Sequence, residues 1–164
     1  MAQKSLSKEA ARGERASQKR SALEDDTGEC RFCRIIKNKA EAYVVFEDSS
    51  TIAFLDINPL FAGHLLLIPK RHYKTFAETP PEVIGGLFNI AKLLSAAIEK
   101  GLGADGSFIA MNNKVSQSIP HIHIHIVPRK FKDGFRGSFW PRHAYKDEEE
   151  MLQVQKKIKE ALPH

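Results

Sequence analysis

Cysteine is scarce in this chain: Cys30 and Cys33, in ECRFCRI, are the two among 164 residues, too few for a disulfide framework. In a reducing compartment a lone C-x-x-C reads as metal ligation or redox chemistry more readily than as a structural disulfide. Long apolar runs are also missing. None approaches the roughly 18 to 20 residues that cross a bilayer, and no apolar N-terminal segment resembles a signal peptide. A soluble, cytoplasmic protein with no membrane partner is the expectation. There is no internal repeat, which argues against a solenoid or propeller.

The net charge of +5 hints at anionic ligands, but much of the basic excess lies in residues 1–20, where only Glu9 and Glu14 oppose it. Residues 1–28 are expected to be a flexible basic extension. A weak mitochondrial presequence and a basic helix for nucleic acid are the alternatives. Residues 29–164 have the length of one domain with a real core.

Apolar, β-branched runs separated by turn residues predict strands at Tyr43–Glu47, Thr51–Asp56, Leu65–Pro69, Ser107–Asn112 and His121–Val127. Asp48, Ser49 and Ser50 suit a hairpin turn between the first two. From Pro81, the residues Ile84, Leu87, Phe88, Ala91, Leu94 and Ile98 recur at helical spacing, and Gly101 and Gly103 are expected to end that helix. A second helix is predicted after Asp147, which can cap it, with Met151, Val154, Ile158 and Leu162 as its apolar stripe. The fold class is therefore α+β: an antiparallel meander of about five strands with one long crossing helix and a C-terminal helix.

The stretch PHIHIHIVPR raises the functional question. In an extended strand, alternate side chains point to opposite faces, so His121, His123 and His125 share one face and Ile122, Ile124 and Ile126 the other. Three readings of the imidazole row compete. The histidines are satisfied polar residues on a half-exposed sheet, or they form a metal cage, or they make a covalent catalytic centre. Their spacing of about 6.6 to 7 Å along a strand is too long for all three to hold one ion unaided. In the catalytic reading a neutral imidazole attacks phosphorus, and helpers are needed. Gln117 and Ser118, in NNKVSQS, can offer an amide and a hydroxyl to phosphate oxygens. In DINPLFAGHLLLIPKRH, Asp56 at a strand end suits the two hydroxyls of a ribose, and His64 enters the next strand.

H-I-H-I-H-I-V, with CRFCRII, FLDINPLFAGHLLLIPKRH and N-x4-QS-x2-H in the same order, resembles the histidine triad (HIT) superfamily, and in particular its Hint-like and bacterial branch. The resemblance runs from about Cys30 to about Tyr145. It implies the HIT-like fold and a hydrolase that cleaves at the α-phosphate of a purine nucleotide, either a nucleoside phosphoramidate or a dinucleoside polyphosphate, through a nucleotidyl-histidine. His123 would be the nucleophile, held through its other nitrogen by the main-chain carbonyl of His121. His125, Ser118 and Gln117 would contact the phosphate or leaving group, and His64 would orient the triad. Asp56 and Asn112 would line the nucleotide pocket, with Ile35, Phe54 and Ile57 as its walls. The loop NNKVSQS departs from the family pattern by its shortness and by the lack of glycine before Gln117, which puts a backbone phosphate cradle in doubt.

Bacterial relatives with this C-x-x-C pair it with the His of a P-K-x-H block and the first triad His, here His72 and His121, so the resemblance also implies a structural zinc on Cys30, Cys33, His72 and His121. Metal-free cysteines packed as small apolar groups are the alternative. Trp140 stands where some relatives carry aromatics that reach the site, and Arg136, Arg142 and His143 could meet a polyphosphate. A uridylyltransferase-type relative would carry Gln where His125 stands, and an aprataxin-like one a C-terminal zinc finger. The family implies a homodimer through the long helix and fourth strand. A nucleotide-binding scaffold with little activity is the reading from another class, and nucleic acid is not an expected partner.

Overall fold

The computed structural model describes residues 29–135 and 143–163. The expected extension 1–28 and the residues Arg136, Trp140 and Arg142 lie outside them. The chain divides into two units between Ala40 and Glu41.

The first unit carries helix α1 (Arg31–Ile36), with Cys30 at its N-cap and Cys33 one turn on. The main-chain N–H of Lys37 closes the helix on the Cys33 carbonyl at 3.1 Å, and Asn38 turns the chain with φ of 55°. Phe32 and Ile35 are its buried side chains, and Glu29 pairs with Lys37. No helix was expected here, because six residues are too short a window for a 3.6-residue period to declare itself.

The second unit is built on one antiparallel sheet: β1 (Val44–Glu47), β2 (Thr51–Leu55), β3 (Leu65–Pro69), β4 (Gly106–Ala110) and β5 (Ile124–Arg129), in the spatial order β1-β2-β3-β5-β4. The expected α+β architecture is the one observed. At the β1–β2 hairpin, Asp48 Oδ1 accepts the N–H groups of Ser50 and Thr51 at 2.7 and 2.6 Å, the Asx-type turn that those residues favour. The crossing helix α2 (Pro81–Leu102) leaves β3 and delivers the chain to the far edge as β4, and β5 then returns between β3 and β4.

The fifth strand starts three residues later than expected. His121, Ile122 and His123 leave the ladder because their polar groups are engaged elsewhere: the Ile122 N–H donates to the Tyr73 carbonyl at 2.8 Å, and the His121 N–H to that of Ile119. β3 has meanwhile ended at Pro69, which has no N–H to offer a neighbour. The alternation survives. Ile122, Ile124 and Ile126 all sit in the core under α2, while the three imidazoles are buried outside that cluster.

Leu87, Ala91, Leu94, Ala97 and Ile98 form the buried stripe of α2. Each leucine or isoleucine so placed contributes roughly 1.5 to 3 kcal/mol by leaving water. Phe88, expected in that stripe, is turned outward and is 47% exposed. By length and composition α2 is the one described helix that could cross a bilayer, contrary to the expectation from the sequence; its stripe is instead packed on the sheet. Helix α3 (Glu148–Ala161) begins as expected, with Asp147 Oδ1 accepting the Glu150 N–H at 2.9 Å, and buries Met151, Val154 and Ile158.

Gly101 does not end α2. The helix ends at Gly103, whose left-handed φ of 63° suits glycine, while Gly101 lies where α2 meets α3. A Cβ at Gly101 would stand 2.5 Å from the Lys157 carbonyl oxygen, which is main chain and cannot swing away. Gly101→Ala should therefore cost about 1 to 3 kcal/mol despite alanine's better helix propensity, read as a lower denaturant midpoint. A neutral or stabilising effect would refute the close contact.

Candidate active site

Four histidines of the second unit, His64, His121, His123 and His125, are at most 8% exposed. Burying an imidazole without partners is costly, so each ring's hydrogen bonds decide where its proton sits. His123 Nδ1 lies 2.8 Å from the His121 carbonyl oxygen. A carbonyl only accepts, so Nδ1 carries the proton and the lone pair is on Nε2. His121 Nε2 likewise faces the Pro69 carbonyl at 2.9 Å, which puts its lone pair on Nδ1.

His64 and His125 are linked across the sheet, with Nε2 of the first 2.9 Å from Nδ1 of the second. The direction follows from a main-chain group: the Leu60 N–H donates to His64 Nδ1 at 3.2 Å, so His64 holds its proton on Nε2 and gives it to His125 Nδ1. His125 therefore keeps its own proton on Nε2 and can donate it. Asp56 approaches His64 Nδ1 only to 3.6 Å, and its Oδ1 accepts the Asn58 N–H at 2.9 Å. Asp56, His64 and His125 have the residue types of a metal site, but both nitrogens of His64 are engaged. The trio reads as a hydrogen-bond relay that fixes a tautomer.

The register aligns the other expected residues around this relay. Phe54 pairs with Leu66, Leu66 with His125, and His125 with Ala110, a single cross-strand row on one face. Phe54 is buried, Ile57 is 49% exposed, and Asn112 is half-buried just past β4. Ile35 lies in the first unit and is buried there. Ser118 is exposed. Gln117 is occupied: its Oε1 accepts the Lys114 N–H and its Nε2 donates to the Lys74 carbonyl, both at 2.8 Å. Asn113 accepts the Phe76 N–H at 2.9 Å from the same loop. The loop thus replaces its missing glycines with side-chain staples, and with Lys114 and Ser116 in left-handed backbone at φ of 65° and 59°.

The metal-ligating types divide between the units. Cys30 and Cys33 stand one turn apart on α1, and no disulfide joins them. Burial, and then the neighbouring Cys30, push the Cys33 thiol up to about 11. In the second unit the His72 ring meets the His121 ring edge-on at 4.8 Å.

The groups that sequence reasoning missed are mostly main chain: the Leu60 N–H and the Pro69 carbonyl set two tautomers, and no side-chain pattern announces either. Tyr145 was missed as well; its hydroxyl oxygen accepts the Gly63 N–H at 3.1 Å. Of the aromatic tail segment, His143 is described and stacks on Phe61 at 5.1 Å.

Residues 37–132 match the HIT domain, and the chain belongs to that family. It is 40% identical over 137 residues to the adenylylsulfatase HINT3 of Arabidopsis thaliana, covering 82% of this chain and 68% of the relative. It is 29% identical over 139 residues to the adenosine 5'-monophosphoramidase HNT1 of Candida albicans, covering 81% and 91%. Among solved structures, a zinc-bound histidine triad family protein from Mycobacterium smegmatis matches with a TM-score of 0.70 at 32% identity, covering 81% of this chain and 92% of that one.

Burial holds His121 down to about 4 and also lowers His123 from the ordinary value of 6.5, against the opposing pull of their carbonyl partners. Near 6.5 and below, the unfolded chain takes up protons that the folded, metal-free protein refuses. The stability these histidines contribute is therefore complete above about pH 6.5 and lost as the pH falls toward 4. Denaturant midpoints of metal-free protein should fall steadily from about pH 7 to about pH 5 with unchanged slope; a flat series would contradict the buried neutral imidazoles.

Proposed function

We propose that this HIT-family chain is a nucleotidyl hydrolase that cleaves at the α-phosphate of a purine nucleotide derivative through a covalent intermediate on His123. The observation that carries the reading is the His123 tautomer: Nδ1–H is given to the His121 carbonyl, so the Nε2 lone pair is the one presented to phosphorus. The lowered basicity of His123 keeps that lone pair unprotonated at neutral pH.

In the first step the Nε2–P bond forms and the bond from phosphorus to the leaving amine or oxyanion breaks, with the leaving group taking up a proton. The His125 Nε2–H, set by the Leu60–His64 relay, is the donor assigned to the phosphate or leaving atom. Water then attacks phosphorus, the N–P bond breaks, water's proton departs, and the nucleoside monophosphate leaves with His123 restored. Asp56 takes the ribose hydroxyls and Asn112 lines the pocket. Ser118 reaches the phosphate, and Gln117 does so if it releases the Lys74 carbonyl. The substrate class is a nucleoside phosphoramidate, a nucleotidyl sulfate (a phosphate–sulfate anhydride) or a dinucleoside polyphosphate. The names of the Arabidopsis and Candida relatives favour the first two.

The proposal includes a structural zinc on Cys30, Cys33, His72 and His121. Two thiols and two imidazoles, of which His121 has its lone pair on Nδ1, supply the donor types of a Cys2His2 set. When bound, the ion would add folding stability and take no part in the chemistry. It also includes a homodimer, supported by Ile109 on the edge strand β4 and Phe88 on α2, both exposed apolar residues.

Product analysis with adenosine phosphoramidate, adenylyl sulfate and diadenosine tri- and tetraphosphate is the test. Wild type should release AMP, and His123→Ala should lose at least ~10³-fold in kcat while keeping its fold. No turnover by folded wild type would sink the hydrolase and favour a nucleotide-binding scaffold. For the metal, elemental analysis should find zinc and chain in equal amounts, and His72→Ala or chelation should lower Tm by several degrees, of order 5 °C. Zinc-free protein of unchanged Tm would leave the cysteines as packing groups.

A further inference from the structure

The turn that carries the relay, Asp56 to His64, is tied at its base by the Asp56 N–H, which donates to the His64 carbonyl at 2.9 Å. Within it the Leu60 N–H fixes the His64 tautomer, so the catalytic donor His125 depends on where one backbone amide points. Three contacts from a distant part of the chain hold that turn in place. The His143 N–H donates to the Pro59 carbonyl at 3.0 Å, and the His143 ring lies over Phe61 with an interplanar angle of 18°. The Gly63 N–H donates to the Tyr145 hydroxyl oxygen at 3.1 Å, across 82 residues of sequence.

Gly63 immediately precedes His64 and has φ of 93°, a left-handed conformation that suits glycine. The residue that aims His64 thus stands in a glycine-only backbone conformation with its amide held by a phenol. Tyr145 is half-buried, and burial pushes its hydroxyl up to about 12, so this acceptor stays neutral through the whole working range.

We infer that Tyr145 is a positioning residue: its hydroxyl anchors the Gly63 amide and so keeps His64 in the tautomer that makes His125 a donor. The inference rests on the hydrolase reading for its catalytic consequence, but not for the anchoring itself. Tyr145 acts through Gly63 and His64. Of the contacts on this turn, the Leu60 amide meets the His64 ring and the Tyr145 hydroxyl meets the backbone beside it, and the hydroxyl can be removed with its ring left in place.

The test is Tyr145→Phe, which keeps the ring and its packing and removes only the acceptor, with Tyr145→Ala as the harsher comparison. With adenosine phosphoramidate as the probe, Tyr145→Phe should lower kcat about five- to tenfold with KM within about twofold and Tm nearly unchanged, the scale expected for one lost hydrogen bond. Imidazole ¹⁵N spectra should show His64 changing from a single Nε2–H tautomer to a mixture. An unchanged kcat with an unchanged His64 spectrum would overturn the inference. So would a loss of activity that cooling restores in full, since that would mark general instability. If wild type proves inactive, the hydrolase reading falls; the ¹⁵N comparison of wild type and Tyr145→Phe then still decides whether Tyr145 holds His64.

Discussion

Everything in the site depends on one requirement: imidazoles taken out of water must each have a partner of known sense. A carbonyl can only accept and an amide N–H can only donate, so each main-chain group that meets a buried ring assigns a proton. Pro69 does this for His121, His121 for His123, and Leu60 for His64. The last assignment passes through His64 to His125. The chemistry of the row is thus written by the backbone, and the sheet, the crossing helix and the turns serve to hold that backbone still.

The same requirement explains why the strand does not run the full length of its alternating pattern. In a regular ladder the His121 carbonyl would be spent on a neighbouring strand. Here β5 begins only at Ile124, and the segment before it is tied to the Tyr73 carbonyl, so the His121 oxygen is available to the ring two residues on. Leaving the ladder costs pairing along three residues, and the isoleucines, still buried beneath α2, offset that cost.

Much of the architecture was legible in the sequence because it rests on periodicity and end signals. The hairpin at Asp48, the cap at Asp147 and the stripe through Leu87, Ala91 and Leu94 follow from side-chain types at fixed spacing. What was not legible rests on meetings between distant segments. Gly101 looks like a helix stop until α3 is seen to lay a carbonyl against it, and Phe88 has the right period but lies on the flank that the sheet leaves uncovered. The site divides in the same way. The histidines and Asp56, whose hydrogen bonds the structure describes, could be picked out by type and pattern. Gln117 could also be picked out, yet its amide is holding Lys114 and Lys74. Leu60 and Tyr145 could not, since one contributes only an amide and the other acts from 82 residues away.

The strand order β1-β2-β3-β5-β4 has a consequence for how the molecule comes into being. A chain emerging from the ribosome can pair β1 with β2 and β2 with β3 as soon as they appear, but β4 arrives with no strand to lie against. Its neighbour is β5, the last of the described strands in chain order, and β5 carries His125. His64 then waits 61 residues for the ring it faces. The finished sheet requires β5 to lie between β3 and β4, and a one-residue error in its register would turn the histidines into the core and the isoleucines out of it. The strand that completes the sheet is thus also the one that brings His125 to His64, and α3 with the Tyr145 tether follows it in the chain.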